Sequence, residues 1–162
     1  QETLRAMDKL VQDGLVKNIG VSNFKTERLR DAQKQTVNKL VVNQVYYNLI
    51  MREPENEGLL KYCQDNDVLL EAYRPVEKGA LLAKPIHILD ELAKKYNKTP
   101  AQIAINWLVS QKNVVTLSKT STIDHLKENM GAMGWQMEDE DIEKLRKDFP
   151  DQQEKSEVLP LR

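Results

Sequence analysis

The spacing of hydrophobic positions changes along the chain, and each change marks an element. Leu4, Met7, Leu10 and Val11 recur at helical intervals, and Gly14 stands where a left-handed cap would close the helix. Short β-branched runs then predict strands over Val16–Asn23, Leu40–Tyr46, Val68–Tyr73 and Val114–Leu117. The intervening spacing predicts helices over Thr26–Thr36, Glu57–Asp65, Ile86–Tyr96 and Pro100–Gln111, with loops around Arg52–Pro54 and Pro75–Gly79. The helix opening at Pro100 carries the clearest signals. Thr99 can cap it, Pro100 suits its first position, and Ile103, Ala104, Trp107 and Leu108 share one face. Another helix is expected from Thr122 to Gly131, with Ser121 and Asp124 spaced as a capping box. A last one spans Glu138–Phe149, acidic at its start and basic at its end, and Pro150 stops it. The tail Asp151–Arg162 has no periodicity.

Strands each followed by helix point to an α/β fold of parallel strands joined by crossovers. A doubly wound nucleotide fold should carry a glycine-rich turn, and neither G-x-G-x-x-G nor G-x-x-x-x-G-K-[ST] occurs. A (β/α)8 barrel instead gathers its functional groups at the C-terminal ends of its strands. Ser22–Asn23, Gln44, Tyr73 and Ser118–Lys119–Thr120 all fall where a predicted strand passes into a loop. Polar residues also end strands simply because strand ends reach water, so each cluster alone is weak evidence. No linker, low-complexity segment or repeat suggests an internal domain boundary.

Composition narrows the field. Of 162 residues, 40% are hydrophobic, enough for a real core, and the net charge of −1 provides no overall field for gripping nucleic acid or an anionic membrane. No apolar run reaches the ~18 residues of a membrane span. A single cysteine, Cys63, fits a reducing, cytoplasmic setting. The first residue falls inside a helical pattern without a Met, which suggests a piece of a longer polypeptide.

Five segments carry a family resemblance. Leu15–Phe24 (LVKNIGVSNF) resembles the "lvk-IGVSNF" segment of the aldo-keto reductases, and Asn43–Leu49 (NQVYYNL) their "NQ-x-x-YN" strand. Glu71–Pro75 followed by Gly79 resembles "AYSPL-x-x-G", and Thr99–Leu108 resembles "TPAQ-x-AL-x-WL". Lys119–Thr–Ser with His125–Asn129 resembles the closing "PK-[ST]…R-x-x-EN". The segments occur in family order across the chain. The resemblance implies a (β/α)8 barrel, with this chain as a half-barrel holding strands five to eight, the C-terminal half of one barrel domain. It implies a reductase of aldehydes or ketones that binds NADP(H) across the strand ends. Ser22, Asn23 and Gln44 match residues that hydrogen-bond the nicotinamide carboxamide, and Tyr73 matches the aromatic stacked on the nicotinamide ring. Lys119 and Thr120 match residues on the 2′-phosphate, and Glu128 and Asn129 match residues near the adenine. The family's catalytic Asp, Tyr, Lys and His belong to strands one to four, upstream of residue 1. This chain alone is therefore expected to be inactive, and to self-associate or pair with an N-terminal half.

Three positions depart from the family pattern. Arg74 stands where Ser is usual, beside the cofactor pyrophosphate, and can pair with phosphate or point outward. His125 stands where Arg often faces the adenine and 2′-phosphate; its weaker charge near neutrality softens the preference for NADP(H) and leaves NAD(H) open. Ser118 replaces a Pro. The short polar tail leans towards small or varied carbonyl substrates. No metal-ligand spacing occurs.

Overall fold

A computed structural model describes residues 2–162; Gln1, expected within the first helix, lies outside the described residues. The chain opens with helix α1 (Glu2–Gln12) and then runs β1 (Ile19–Ser22), α2 (Thr26–Gln33), β2 (Leu40–Tyr46), α3 (Glu53–Asn56), α4 (Leu59–Asp65) and β3 (Leu69–Tyr73). A 3-10 helix (Glu77–Leu82) leads to α5 (His87–Tyr96), α6 (Pro100–Val109), β4 (Val114–Leu117), α7 (Ile123–Met130) and α8 (Asp139–Asp148). The strands form one sheet in the order β1-β2-β3-β4, and every neighbouring pair is parallel. Parallel strands in chain order with flanking helices are the architecture of a partial (β/α)8 barrel. Among the described residues no helix is long and apolar enough to cross a membrane.

Strand alternation divides the sheet into two faces. Val45, Leu70, Ala72 and Val114 share a buried core with Leu29, Leu60, Leu89, Ile103 and Trp107 of the helices. The opposite face presents Ser22, Gln44, Tyr46, Glu71 and Tyr73 together with Leu69, Val115 and Leu117, which are 42%, 40% and 50% exposed. In a closed barrel that face would look inwards. The sheet depends on Gly20, where the pairing of β1 with β2 shifts register. A Cβ there would lie 2.3 Å from Val42 Cγ1 and 2.7 Å from the Val42 carbonyl oxygen.

Side-chain caps set the starts of α6 and α7. Thr99 and Gln102 form a full capping box on α6, with Pro100 in its first turn. At α7 the expected Ser121–Asp124 box does not form. Thr122 is the cap instead, its hydroxyl accepting from the His125 N–H at 3.2 Å. The helix expected from Glu57 begins at Leu59, because Gly58 takes a left-handed conformation (φ 69°) and separates α3 from α4.

The tail, though aperiodic, is docked. Arg52 N donates to Gln153 O at 2.9 Å and Gln153 N to Ile50 O at 2.8 Å. Glu53, 1% exposed, accepts from the N–H groups of Ser156 (3.3 Å) and Leu161 (3.2 Å) through one carboxylate oxygen. Beside it, the fully buried guanidinium of Arg52 donates to the carbonyls of Leu49 (3.0 Å) and Leu145 (3.1 Å) and lies 4.1 Å from the Trp107 ring centroid.

Candidate functional site

The sequence-predicted residues assemble into two groups on the C-terminal rim of the sheet. The first occupies the ends of β1, β2 and β3. Ser22 pairs in register with Gln44, Gln44 with Glu71, and Tyr46 with Tyr73. Ser22 Oγ and Asn23 N both donate to the Gln44 carbonyl oxygen at 2.9 Å. Asn23 has turned into the left-handed region (φ 57°), so its side chain faces the Tyr73 hydroxyl, which donates to Asn23 Oδ1 at 3.1 Å. Gln44 Nε2 donates to Glu71 Oε2 at 2.9 Å. The turn after β1 is held from two further sides. Buried Asn43 donates to the Phe24 carbonyl at 2.8 Å, and the last residue, Arg162, donates its N–H to the Asn23 carbonyl at 2.8 Å.

Tyr73 is a half-buried ring platform. Tyr46 stacks against it with centroids 5.6 Å apart and planes 9° from parallel. Burial raises the Tyr73 hydroxyl above its ordinary value, against the opposing pull of the Arg74 charge and the Asn23 hydrogen bond. Tyr46, which was not among the sequence-predicted site residues, also belongs to this group. Its hydroxyl donates to Glu77, and burial followed by that carboxylate pushes it up to about 12. The alternation Val42, Gln44, Tyr46 along β2 was the signal that could have found it. Arg74, also at positive φ (59°), places its guanidinium 5.1 Å from the Tyr46 ring centroid. It thus stacks on an aromatic at the rim, an arrangement the sequence did not suggest. Its carbonyl accepts from buried Asn48 at 2.8 Å, and Asn48 also donates to Glu77 at 2.8 Å.

The second group follows β4, which is in register with β3 through Tyr73 and Leu117. Lys119 is exposed and forms no ion pair among the described residues. Thr120 Oγ1 donates to the Thr122 carbonyl at 3.1 Å and so shapes the turn into α7. His125 sits exposed in the first turn of α7, where helix dipole and free N–H groups favour an anion. Glu128 and Asn129 are half-buried further along α7. Glu128 lines a cavity of about 360 Å³ with Leu82, Ile86, Leu89 and Pro100. The other histidine, His87, starts α5 with its side chain 95% exposed, 3.8 Å from Glu91. Cys63 is wholly buried. No group of three or more His, Cys, Asp or Glu side chains among the described residues could hold a metal ion.

Comparison with known proteins bears on this geometry. The sequence model of the aldo/keto reductase family matches residues 1–147. Aldose reductase B of Dictyostelium discoideum is 36% identical over 145 residues, covering 90% of this chain and 45% of that protein. A thermostable aldo-keto reductase solved with the inhibitor epalrestat superposes with a TM-score of 0.86 at 39% identity, covering 90% of this chain and 53% of the other. An aldo-keto reductase of Klebsiella pneumoniae in complex with NADPH gives 0.81 at 30% identity, covering 93% and 54%. The chain spans about half the length of the curated relatives it matches.

Proposed function

The chain belongs to the aldo/keto reductase family, and from that premise we propose that it supplies the nicotinamide-binding part of an NADP(H)-dependent oxidoreductase that reduces aldehydes or ketones to alcohols. One observation carries the reading. Three amide or hydroxyl side chains, Ser22, Asn23 and Gln44, meet at adjacent strand ends beside a tyrosine ring that Tyr46 backs on one face. That grouping fits a flat ring bearing a primary amide. The face of Tyr73 away from Tyr46 takes the ring, and the side-chain amides take the carboxamide.

The bound nicotinamide would supply hydride to a carbonyl carbon; this chain's residues would hold the ring so that one face points at the substrate. Lys119 and the first turn of α7 with His125 receive the 2′-phosphate, and the cavity beside Glu128 takes the adenine. With His in place of Arg, NAD(H) binds as a weaker alternative. The acid–base step falls to the Asp, Tyr, Lys and His that the family places in the other strands, so this chain by itself binds cofactor without reducing a carbonyl. A carbonyl-dependent loss of NADPH absorbance with the purified chain would refute that division.

Titration of the chain's intrinsic fluorescence with NADPH and NADH tests the cofactor assignment. Lys119→Ala should weaken NADPH by about ten-fold or more, the worth of a charge-assisted hydrogen bond, and leave NADH nearly unchanged. Equal affinity for both dinucleotides, untouched by the substitution, would sink the phosphate site.

A second reading rests on the open sheet. β1 and β4 each have one unpaired edge, and Leu69, Val115 and Leu117 stand exposed on the inward face. The chain accordingly closes its barrel against complementary strands, from a second copy or from a separate N-terminal half. Light scattering that gives a monomer at all concentrations would count against self-association.

A further inference from the structure

On the open face of the sheet, a single hydrogen bond decides which end of an amide reaches the ligand. Gln44 and Glu71 are register partners on β2 and β3, and Gln44 Nε2 donates to Glu71 Oε2 at 2.9 Å. A carboxylate only accepts, whereas a primary amide has a donor end and an acceptor end. The pairing therefore turns the Gln44 NH2 towards Glu71 and leaves the Gln44 carbonyl oxygen for a ligand. Asn23 is under no such constraint. Its partner is the Tyr73 hydroxyl, at 3.1 Å, and a hydroxyl can serve either end of an amide. Asn23 can thus adapt to what is bound, while Gln44 cannot. The Gln44 backbone is fixed as well, since its carbonyl accepts from both Ser22 Oγ and Asn23 N at 2.9 Å.

We infer that Glu71 is a positioning residue that locks Gln44 as an acceptor, so that the site selects a ligand presenting an N–H at that point. A carboxamide presents one; a methyl ketone or a carboxylate does not. The inference rests on the proposed placement of the nicotinamide at these strand ends. Under it, Gln44 accepts from the carboxamide NH2, and Asn23 is left to donate to the carboxamide oxygen. Discrimination among ring substituents then comes from a residue that never touches the ligand.

The test compares NADPH with its nicotinic acid analogue, in which a carboxylate replaces the carboxamide. Dissociation constants for both are measured by calorimetry on the full chain and on its Glu71→Leu and Glu71→Gln variants. The unaltered chain should prefer NADPH by about five- to ten-fold, the worth of one hydrogen bond. In Glu71→Leu the Gln44 amide is free to turn and donate its NH2 to the carboxylate oxygen that stands where the carboxamide NH2 was, so the ratio should fall to about one. In Glu71→Gln the new amide can pair with either end of Gln44, and the ratio should lie between. This isosteric variant keeps the test valid should the leucine variant fail to fold. Loss of affinity for both dinucleotides with the ratio unchanged in either variant overturns the role of Glu71 and leaves the nicotinamide placement standing. If the unaltered chain binds neither dinucleotide, both readings fall.

Discussion

Replacing Gly20 by alanine should damage stability and the proposed dinucleotide site together, and the local packing indicates by how much. The new Cβ would lie 2.3 Å from Val42 Cγ1 and 2.7 Å from the Val42 carbonyl oxygen. Overpacking of this kind costs ~1–3 kcal/mol. The upper part of that range applies here, because one of the two atoms belongs to the backbone and has no rotamer to escape into. With a urea dependence of ~2 kcal/mol per M for a domain of this size, a loss of ~2–3 kcal/mol lowers the unfolding midpoint by about 1–1.5 M. Val42→Ala removes Cγ1 but not the carbonyl. In the double variant the two changes should couple favourably by ~1 kcal/mol, yet the double variant should stay less stable than Val42→Ala alone. The consequence for the site follows from the pairing. If β1 moves off β2 to admit the methyl, the donations from Ser22 Oγ and Asn23 N to the Gln44 carbonyl lengthen, and NADPH affinity falls with stability. Urea unfolding followed by far-ultraviolet circular dichroism gives the midpoints, and fluorescence titration gives the affinity. An unshifted midpoint in Gly20→Ala would show that the sheet accommodates the methyl. A double variant as stable as Val42→Ala alone would show that the backbone contact is immaterial.

Further consequences follow from single contacts. Tyr73→Phe keeps the ring and removes the hydroxyl bonded to Asn23 at 3.1 Å in the free chain; the urea midpoint should fall by about 0.5 M, as the loss of one hydrogen bond of ~1 kcal/mol implies, and NADPH affinity should fall by no more than about five-fold as Asn23 loses its fixed orientation. Arg52→Met strands the buried carbonyls of Leu49 and Leu145 and the partly buried Glu55. It should cost ~3–5 kcal/mol in urea unfolding, and Arg52→Lys should not restore it, because one ammonium cannot span the same acceptors. The Asp8 carboxyl is held below its ordinary range by the Asn38 side chain at 2.8 Å, with help from the N–H groups of Val37 and Asn38. A depressed folded-state value stabilises above the unfolded value and is lost as pH falls through the folded one. Stability of the unaltered chain should therefore fall more steeply below pH ~4 than that of Asp8→Asn; parallel curves would refute this. Burial pushes the Cys63 thiol up to about 12, so iodoacetamide should label it only as fast as the chain unfolds, and prompt labelling of the native chain would contradict that.

What could be read from the sequence was what neighbours along the chain decide. The alternation in Leu40–Tyr46 and Val68–Tyr73 fixes which residues face away from the helices, and that alone brings Gln44, Glu71 and Tyr73 onto one side. Thr99, Pro100 and Gln102 announce their helix because the capping groups lie within four residues of one another. At α7, Ser121 and Thr122 offered adjacent hydroxyls with similar credentials, and only the turn held by Thr120 decides that Thr122 is the cap. Contacts between residues far apart in the chain left no such trace. Arg52 and Glu53 look like surface charges in a loop, yet both are buried. Alongside the local Leu49 carbonyl and Glu55, the partners that meet their polar groups lie 93 to 108 residues later, on Leu145, Ser156 and Leu161. The tail carries no periodicity because backbone bonds at Gln153 and Arg162, the Glu53 carboxylate and the single buried Leu161 hold it, rather than a repeating apolar face. Glu71 shows the same division within a single residue. Alternation places it on the open face, but its charge there makes sense only with Gln44 across the strand boundary. A periodic pattern can say which side chains reach a site; which end of an amide they offer depends on a partner that the pattern does not name.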